Sequence, residues 1–360
     1  MVLTGPRQAG KTTLARDLVD APDANFFDLE DPRDDARLGE PTLNLPAISG
    51  TIVIDEAQRR QDLFPVLRVL VDEDRRNGRF LVLGSASPDV VGLAAESLAG
   101  RVALVELTGL QLIDIDPDEL DPLWRRGGLP RSYLADTEQQ SVDWREDYVR
   151  TFLERDLANL GVRIPATTMR RFWTMVAHYH GQTWNGAEIA RSLAVSEPTV
   201  RRYLDALTDA LVIRQLPPWH ANISKRQIRS PKVYVRDTGL LHRLLGIDDH
   251  QSLLGHPKLG ASWEGFVIEQ LLARTDIRDA WFWGTHGGAE IDLLIQHDGE
   301  WVGIEIKRTD APHMTPSIRN AIDDFDLTRV IVAHAGDDRF PIAPNVEAIS
   351  AAELLADGIA

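Results

Sequence analysis

The octapeptide GPRQAGKT at residues 5–12 limits what this chain can fold into more than any other stretch. It fits GxxxxGK[ST], with the apolar VLT ahead of it reading as a strand end and TTLARDLV after it as the start of an amphipathic helix. Glycine at both ends lets backbone N–H groups turn inward around phosphate oxygens, and the N-terminus of the helix adds a dipole of the right sign. The cradle runs from Gly5, Pro6 and Arg7 through Gln8, Ala9 and Gly10 to Lys11, Thr12 and Thr13. Lys11 would reach the β- and γ-phosphates of a nucleotide, and the Thr12 hydroxyl would bind Mg²⁺.

A second segment supplies what such a loop needs. TIVIDEAQ (51–58) is a short strand running into Asp55 and Glu56. Asp55, at the strand end, suits the metal's surroundings, and Glu56 is placed to polarise an attacking water, which implies hydrolysis as well as binding. A third apolar run, RFLVLGSAS (79–87), ends in Ser85, either a γ-phosphate sensor or a plain strand-end turn residue. With NFFDL (25–29) and RVALVEL (101–107), five strands alternate with helical stretches, the pattern of an α/β parallel sheet covered on both faces.

These residues resemble the AAA+ branch of the P-loop ATPases. The resemblance implies ATP as the nucleotide and a homo-oligomer in which an arginine before the last core strand completes a neighbour's site. Arg101, in LAGRVALVEL, holds that place; its other reading is a solvated charge at a strand start. Relatives usually carry a helical segment ahead of the first strand, so this resemblance also implies either a truncated N-terminus or a wrongly placed start codon.

With 39 basic and 55 acidic residues the chain carries −16, which disfavours indiscriminate nucleic-acid binding while leaving room for a local basic patch at 225–232, KRQIRSPK. The acidic run QLIDIDPDELDP (111–122) reads as a solvated connector. The absence of cysteine excludes disulfides and thiolate zinc sites and points to a reducing cytoplasm. No apolar run approaches the roughly 20 residues that span a bilayer, and MVLTGPRQ lacks the apolar core of a signal peptide.

Beyond the connector, LWRRGGLPRSYL and DWREDYVRTFLERDLANLG read as helices parted by Gly-Gly-Leu-Pro, a helical lid in the economical interpretation. GAEIARSLAVSEPTVRRYLDALTDALVIRQL (186–216) then gives a short helix from Ala187 to Leu193, a turn at Ala194-Val195, and a second helix capped by Ser196. Val200, Leu204 and Leu207 form its inward stripe, and LVIRQL follows as a strand. The pattern is similar to a winged helix-turn-helix. Arg201 and Arg202 on the second helix would meet DNA phosphates, or the module serves only for packing.

In AEIDLLIQHDGEWVGIEIKR (289–308), Asp298-Gly299 is a hairpin turn signal. With that turn Gln296 faces Trp301, Asp292 faces Glu305 and Glu290 faces Lys307. Opposed Cβ atoms lie about 5 Å apart, so two carboxylates there need a shared proton or a cation between them. A divalent ion, Mg²⁺ above all, would serve, with Lys307 steadying phosphoryl charge. Asp…Glu-x-Lys on a hairpin resembles the restriction-endonuclease-like core, and Glu264 in SWEGFVIEQLLAR matches its additional acid. Relatives commonly carry a basic residue where this chain has Gly284, and Asp237 in VRDTGLL matches a family position whose simplest role is a helix cap.

The order of segments resembles a large prokaryotic group of ATP-binding proteins. It divides the chain into an ATPase core at 1–112, lid and connector at 113–165, winged helix-turn-helix at 166–220 and a smaller α/β endonuclease-like domain at 221–360. Three functions fit: an ATPase whose nucleotide state repositions a DNA-facing C-terminal half, an ATP-regulated Mg²⁺ nuclease, or a nucleotide-gated protein-interaction switch with an inactive nuclease fold.

Overall fold

A computed structural model of the chain describes residues 1–19, 25–84, 92, 96–157, 164–219, 228–274, 277, 279–285, 287–325 and 327–359. Two compact units result: Met1–Gly109 with Asp209–Leu211, and Leu110–Thr208 with Val212–Ala360.

The first unit holds strands β1 (Val2–Thr4), β2 (Phe26–Asp28), β3 (Ile52–Asp55), β4 (Phe80–Leu83) and β5 (Leu104–Glu106). They form one parallel sheet in the order β2-β3-β4-β1-β5. Parallel strands covered on both faces are apolar at every position, which is why their sequences show no alternation. Leu3, Phe26, Val53, Leu81 and Leu83 pack on one face with Ala15 of the helix Lys11–Leu18. Val2, Phe27, Ile52, Ile54 and Val82 pack on the other with Phe64 and Leu67 of the helix Leu63–Glu73. The edge strand β5 is the exception, with Leu104 and Val105 both exposed.

The second unit contains the helical segment expected as a lid: helices Leu120–Arg126, Pro130–Tyr133 and Glu138–Thr151. The acidic run ahead of them is not a free connector. Its aspartates face solvent, but Leu112 is buried beside Leu354 and Leu355, and its N–H donates to Gln270 Oε1 at 2.9 Å. One apolar anchor within a charged run was enough to dock it.

The helix-turn-helix follows its sequence pattern closely. Helix Gly186–Leu193 ends at Ala194, which takes a left-handed φ of 55°, and helix Glu197–Asp209 begins after Ser196, whose Oγ accepts from Thr199 N at 3.3 Å. Val200, Leu204 and Leu207 are fully buried. Strands β6 (Gln182–Thr183), β7 (Ile213–Leu216) and β8 (Lys232–Val235) form an antiparallel sheet in the order β6-β8-β7.

Strands β9 (Ala280–Gly284), β10 (Glu290–His297), β11 (Glu300–Lys307), β12 (Arg329–His334), β13 (Phe340–Ala343) and β14 (Val346–Ser350) build a mixed six-stranded sheet ordered β13-β14-β12-β11-β10-β9. The helix Leu259–Arg274 contributes Trp263, Phe266 and Val267 to a core with Leu293, Ile295 and Ile304. The β10–β11 turn is Asp298 (φ 50°) and Gly299 (φ 84°), both left-handed as a two-residue hairpin requires, and Gln296 pairs with Trp301 as expected.

Asp237 caps the helix Thr238–Leu245 through Leu240 N (2.8 Å) and also accepts from Gly128 N (2.9 Å) and Leu129 N (3.2 Å). It thereby binds the Gly-Gly-Leu-Pro break to a helix more than a hundred residues later. Gly239 lies so close to that loop that a Cβ would sit 2.0 Å from the Arg126 carbonyl oxygen. Backbone cannot yield there as a side chain would, so Gly239→Ala should destabilise the fold by about 3 kcal/mol, read from the denaturation midpoint.

His180 and His242 are both buried in this unit. His180 Nε2 bonds the Ala261 carbonyl (3.0 Å) while its Nδ1 accepts from Val235 N (2.9 Å). His242 bonds the Arg125 carbonyl (3.0 Å) and Ser262 Oγ (2.8 Å). Burial holds both pKa values down to about 3. The unfolded chain therefore takes up protons below pH ~6.5 that the native state refuses, so stability is complete above that pH and is lost as pH falls toward 3. The slope is at most about 1.4 kcal/mol per pH unit for each ring. Denaturant midpoints at pH 7.5 and 5 should show the drop, and His180→Gln should shrink it.

Candidate functional site

The loop between β1 and the first helix departs from ordinary backbone at two points. Gln8 has φ 64°, and Gly10, the residue before the helix, has φ 95°. Gly5 is required for space: a Cβ would lie 2.2 Å from the Leu107 carbonyl oxygen. Next to it Leu107 N donates to Thr4 O at 2.8 Å, so the chain beyond β5 walls the loop's entry.

Lys11 is buried, with Nζ donating to the carbonyls of Gly5 (3.0 Å) and Pro6 (2.9 Å). Burial lowers its pKa, against the opposing charges of Glu56 and Asp55. The Thr12 hydroxyl donates to Asp55 Oδ2 at 2.6 Å, joining the first helix to the end of β3. Asp55 Oδ1 accepts from Glu56 N at 2.8 Å. Burial raises the pKa of Asp55, and these two hydrogen bonds oppose the shift. Glu56 takes a left-handed φ of 55°, a conformation costly for a residue with a side chain, and its carboxylate accepts from Gln58 Nε2. Burial, followed by the Asp55 charge, raises its pKa.

The structure thus brings Lys11, Thr12, Asp55 and Glu56 together. Arg101 is engaged elsewhere: Nε and Nη2 bind Asp72 at 2.6 and 3.0 Å, and Nη1 donates to Ala99 O at 3.0 Å. Ser85 lies outside the described residues. The residues present fit a magnesium-bound nucleotide. A glycine-lined cradle opens a helix, a buried ammonium stands in it, and a hydroxyl–carboxylate pair of hard oxygen donors lies beside it.

A second polar cluster lies in the second unit. Glu264 from the helix Leu259–Arg274, Glu290 and Asp292 from β10, and Glu305 and Lys307 from β11 converge. Glu305 Oε1 pairs with Lys307 Nζ at 2.7 Å. The backbone ladder is regular from Leu293↔Ile304 to His297↔Glu300, whereas Asp292 Oδ2 accepts from Ile306 N at 2.8 Å. Burial and then the Asp292 charge push Glu305 up to about 8 and Glu264 up to about 7.

At the centre stands Lys232, which the sequence reading had placed in a surface basic patch. Residues 225–227 of that patch lie outside the described residues, and Lys232 itself is buried. Its Nζ is 3.0 Å from Glu264 Oε1 and 3.5 Å from Asp292 Oδ1, and it pairs more closely still with Glu290. Tyr234 donates to Glu264 Oε1 at 2.5 Å. The signal was present in the sequence: Lys232 and Tyr234 lie two apart in KVYV, and Glu290 and Asp292 two apart in EID, so each pair shares a strand face.

Arg201 and Arg202 are exposed, and Arg201 Nε is paired with Asp205 at 3.0 Å, one helical turn on. Among the described residues no helix is long and apolar enough to cross a membrane.

A parallel sheet with a glycine-bracketed loop on β1 and an acidic pair ending β3 defines the first unit as a P-loop nucleotide-binding domain. Residues 1–115 match the AAA domain family, while 117–251 and 259–354 match two domains of unknown function, DUF8612 and DUF4143. The uncharacterized proteins Mb2031c of Mycobacterium bovis and Rv2008c of Mycobacterium tuberculosis are each 58% identical to this chain over 358 residues, 99% of this chain and 81% of theirs. The chain belongs to the family that includes those two mycobacterial proteins, with an AAA-type domain as its first part. Among solved structures, the Aeropyrum pernix ORC1 protein in complex with DNA is 14% identical with a TM-score of 0.32, covering 68% of this chain and 86% of that one. Protein VC1899 from Vibrio cholerae is 12% identical with a TM-score of 0.19, covering 99% and 95%. At these scores neither adds to what the strand order already says.

The Thr12–Asp55 bond is the joint of this site. Thr12→Val removes the hydroxyl while keeping shape, and should weaken magnesium–nucleotide binding roughly tenfold or more in calorimetry, with a lowered melting temperature as well, because buried Asp55 loses a donor.

Proposed function

We propose that this protein binds Mg²⁺·ATP at Gly5–Thr13 and hydrolyses it, and that the nucleotide state governs how its C-terminal half meets DNA. The observation that carries the first part is the 2.6 Å hydrogen bond from Thr12 to Asp55, which sets a hydroxyl and a carboxylate side by side next to a buried lysine. In this reading Lys11 holds the β- and γ-phosphates and Thr12 with Asp55 holds the metal, whose charge would neutralise the phosphate oxygens. Glu56, with its raised pKa, takes the proton of the attacking water, and Gln58 fixes its carboxylate. Ser85 would sense the γ-phosphate. Arg101 would serve a neighbouring copy in an oligomer only after leaving Asp72.

For the second part, the support is the helix Glu197–Asp209, whose Arg201 and Arg202 face solvent, followed by an antiparallel sheet as in a winged helix-turn-helix. Because Arg201 is already paired with Asp205, Arg202 is the better phosphate contact. A net charge of −16 confines any such contact to a local patch. The mixed C-terminal sheet and its Asp292, Glu305 and Lys307 support an endonuclease-like fold, but Lys232 stands where nuclease chemistry would need a divalent ion.

The test compares the parent with Glu56→Gln for ATP turnover, with and without duplex DNA. We expect turnover in the parent alone, stimulated by DNA, with ATP binding kept in the variant. Turnover indifferent to every DNA form would favour the protein-interaction switch, and equal turnover in both proteins would remove Glu56 from the chemistry.

A further inference from the structure

The carboxylates of Glu264, Glu290 and Asp292 offer oxygen atoms within 4.8 Å of one another, close enough to share a metal ion. Whether a divalent ion suits these residues depends on what already satisfies them. A lysine ammonium has three N–H donors and no acceptor. Lys232 donates to Glu264 Oε1 at 3.0 Å and forms ion pairs with Asp292 at 3.5 Å and with Glu290. Two further donors reach the same acids. Glu264 Oε1 takes a second donor from Tyr234, and Asp292 Oδ2 takes the Ile306 amide.

Space argues the same way. Mg²⁺ demands near-octahedral oxygen coordination and keeps several waters. The Lys232 stem enters from β8 with its side chain 4% exposed, and the ammonium lies 5.6 Å from the centre of the Phe282 ring. An apolar stem and an aromatic ring occupy directions that coordinated waters would need. One atom in the cluster, Glu305 Oε2, is buried without a hydrogen-bond partner, and its other oxygen is held by Lys307. The pocket is therefore supplied with two ammonium groups from its own chain.

We propose that Lys232 is the resident cation of this pocket, that the pocket takes no divalent metal, and that it serves as an ionic clamp instead of a nuclease centre. The clamp joins three segments remote in sequence: β8 of the three-stranded sheet, the helix Leu259–Arg274, and the β10 strand of the six-stranded sheet. It fastens the sheet beside the helix-turn-helix to the C-terminal hairpin. The inference is independent of the nucleotide reading, since none of its residues belongs to the first unit.

The experiment is a Mn²⁺ titration by calorimetry on full-length, nucleotide-free protein. Parent and Asp292→Asn should give superimposable curves, because any binding at Asp55 is common to both. Saturable binding in the parent that disappears in Asp292→Asn would overturn the proposal. Lys232→Met keeps the stem and removes the charge. It should acquire a Mn²⁺ site at least tenfold tighter than any in the parent, abolished again by adding Asp292→Asn. A Lys232→Met protein that folds and ignores Mn²⁺ would also overturn it, as would metal-dependent DNA cleavage by the parent that Lys307→Ala removes. Should Lys232→Met not fold, the first comparison decides alone.

Discussion

The bond between Thr12 and Asp55 ties two parts of the first unit that sequence alone leaves 43 residues apart. It locks the start of the first helix against the end of β3, and so fixes where the loop of Gly5–Thr12 opens relative to the acidic pair. Thr12 itself is exposed, but Asp55 is buried, so losing this donor would leave one oxygen of a desolvated carboxylate unpaired. The surrounding sheet is arranged to keep them there. Strands β2, β3, β4 and β1 are packed into hydrophobic cores on both faces, which anchors the ends of β1 and β3 on two sides.

The legible parts of the fold were those in which local chemistry leaves one solution. Continuous apolar runs bounded by turns gave β1 to β4, Asp-Gly gave the β10–β11 hairpin and hence its register, and the stripe of Val200, Leu204 and Leu207 gave the helix Glu197–Asp209. Asp237 was readable as a cap, though its further bonds to Gly128 and Leu129 were not, because they depend on a loop 108 residues away. The acidic run near Leu112 is solvated as its charge count says, while the single leucine that anchors it is not legible from charge. Likewise Arg101 is spoken for by Asp72, 29 residues earlier, a partner that spacing does not reveal.

The C-terminal cluster shows the same division between local and remote information. Period-two alternation correctly set Asp292, Glu305 and Lys307 on a common polar face, and the need for either a shared proton or a cation followed from their proximity alone. Both remedies occur. Glu305 is pushed up into the neutral range, and a cation lies among the acids, but it is an amine from β8. Its basic neighbours in sequence suggest a surface patch, whereas Lys232 is the least exposed of the described residues of that stretch. Buried ions of this kind are weak evidence for stability, yet removing one partner leaves the others uncompensated.

Glu56 sits in a backbone conformation that glycine would occupy without penalty, at a cost of about 1–2 kcal/mol for any residue bearing a Cβ. A chain shaped only for robustness would relax that turn. With a carboxylate held there, folding strength and the role proposed for Glu56 pull against each other at a single residue, and a more durable version of the domain would be one with glycine in its place.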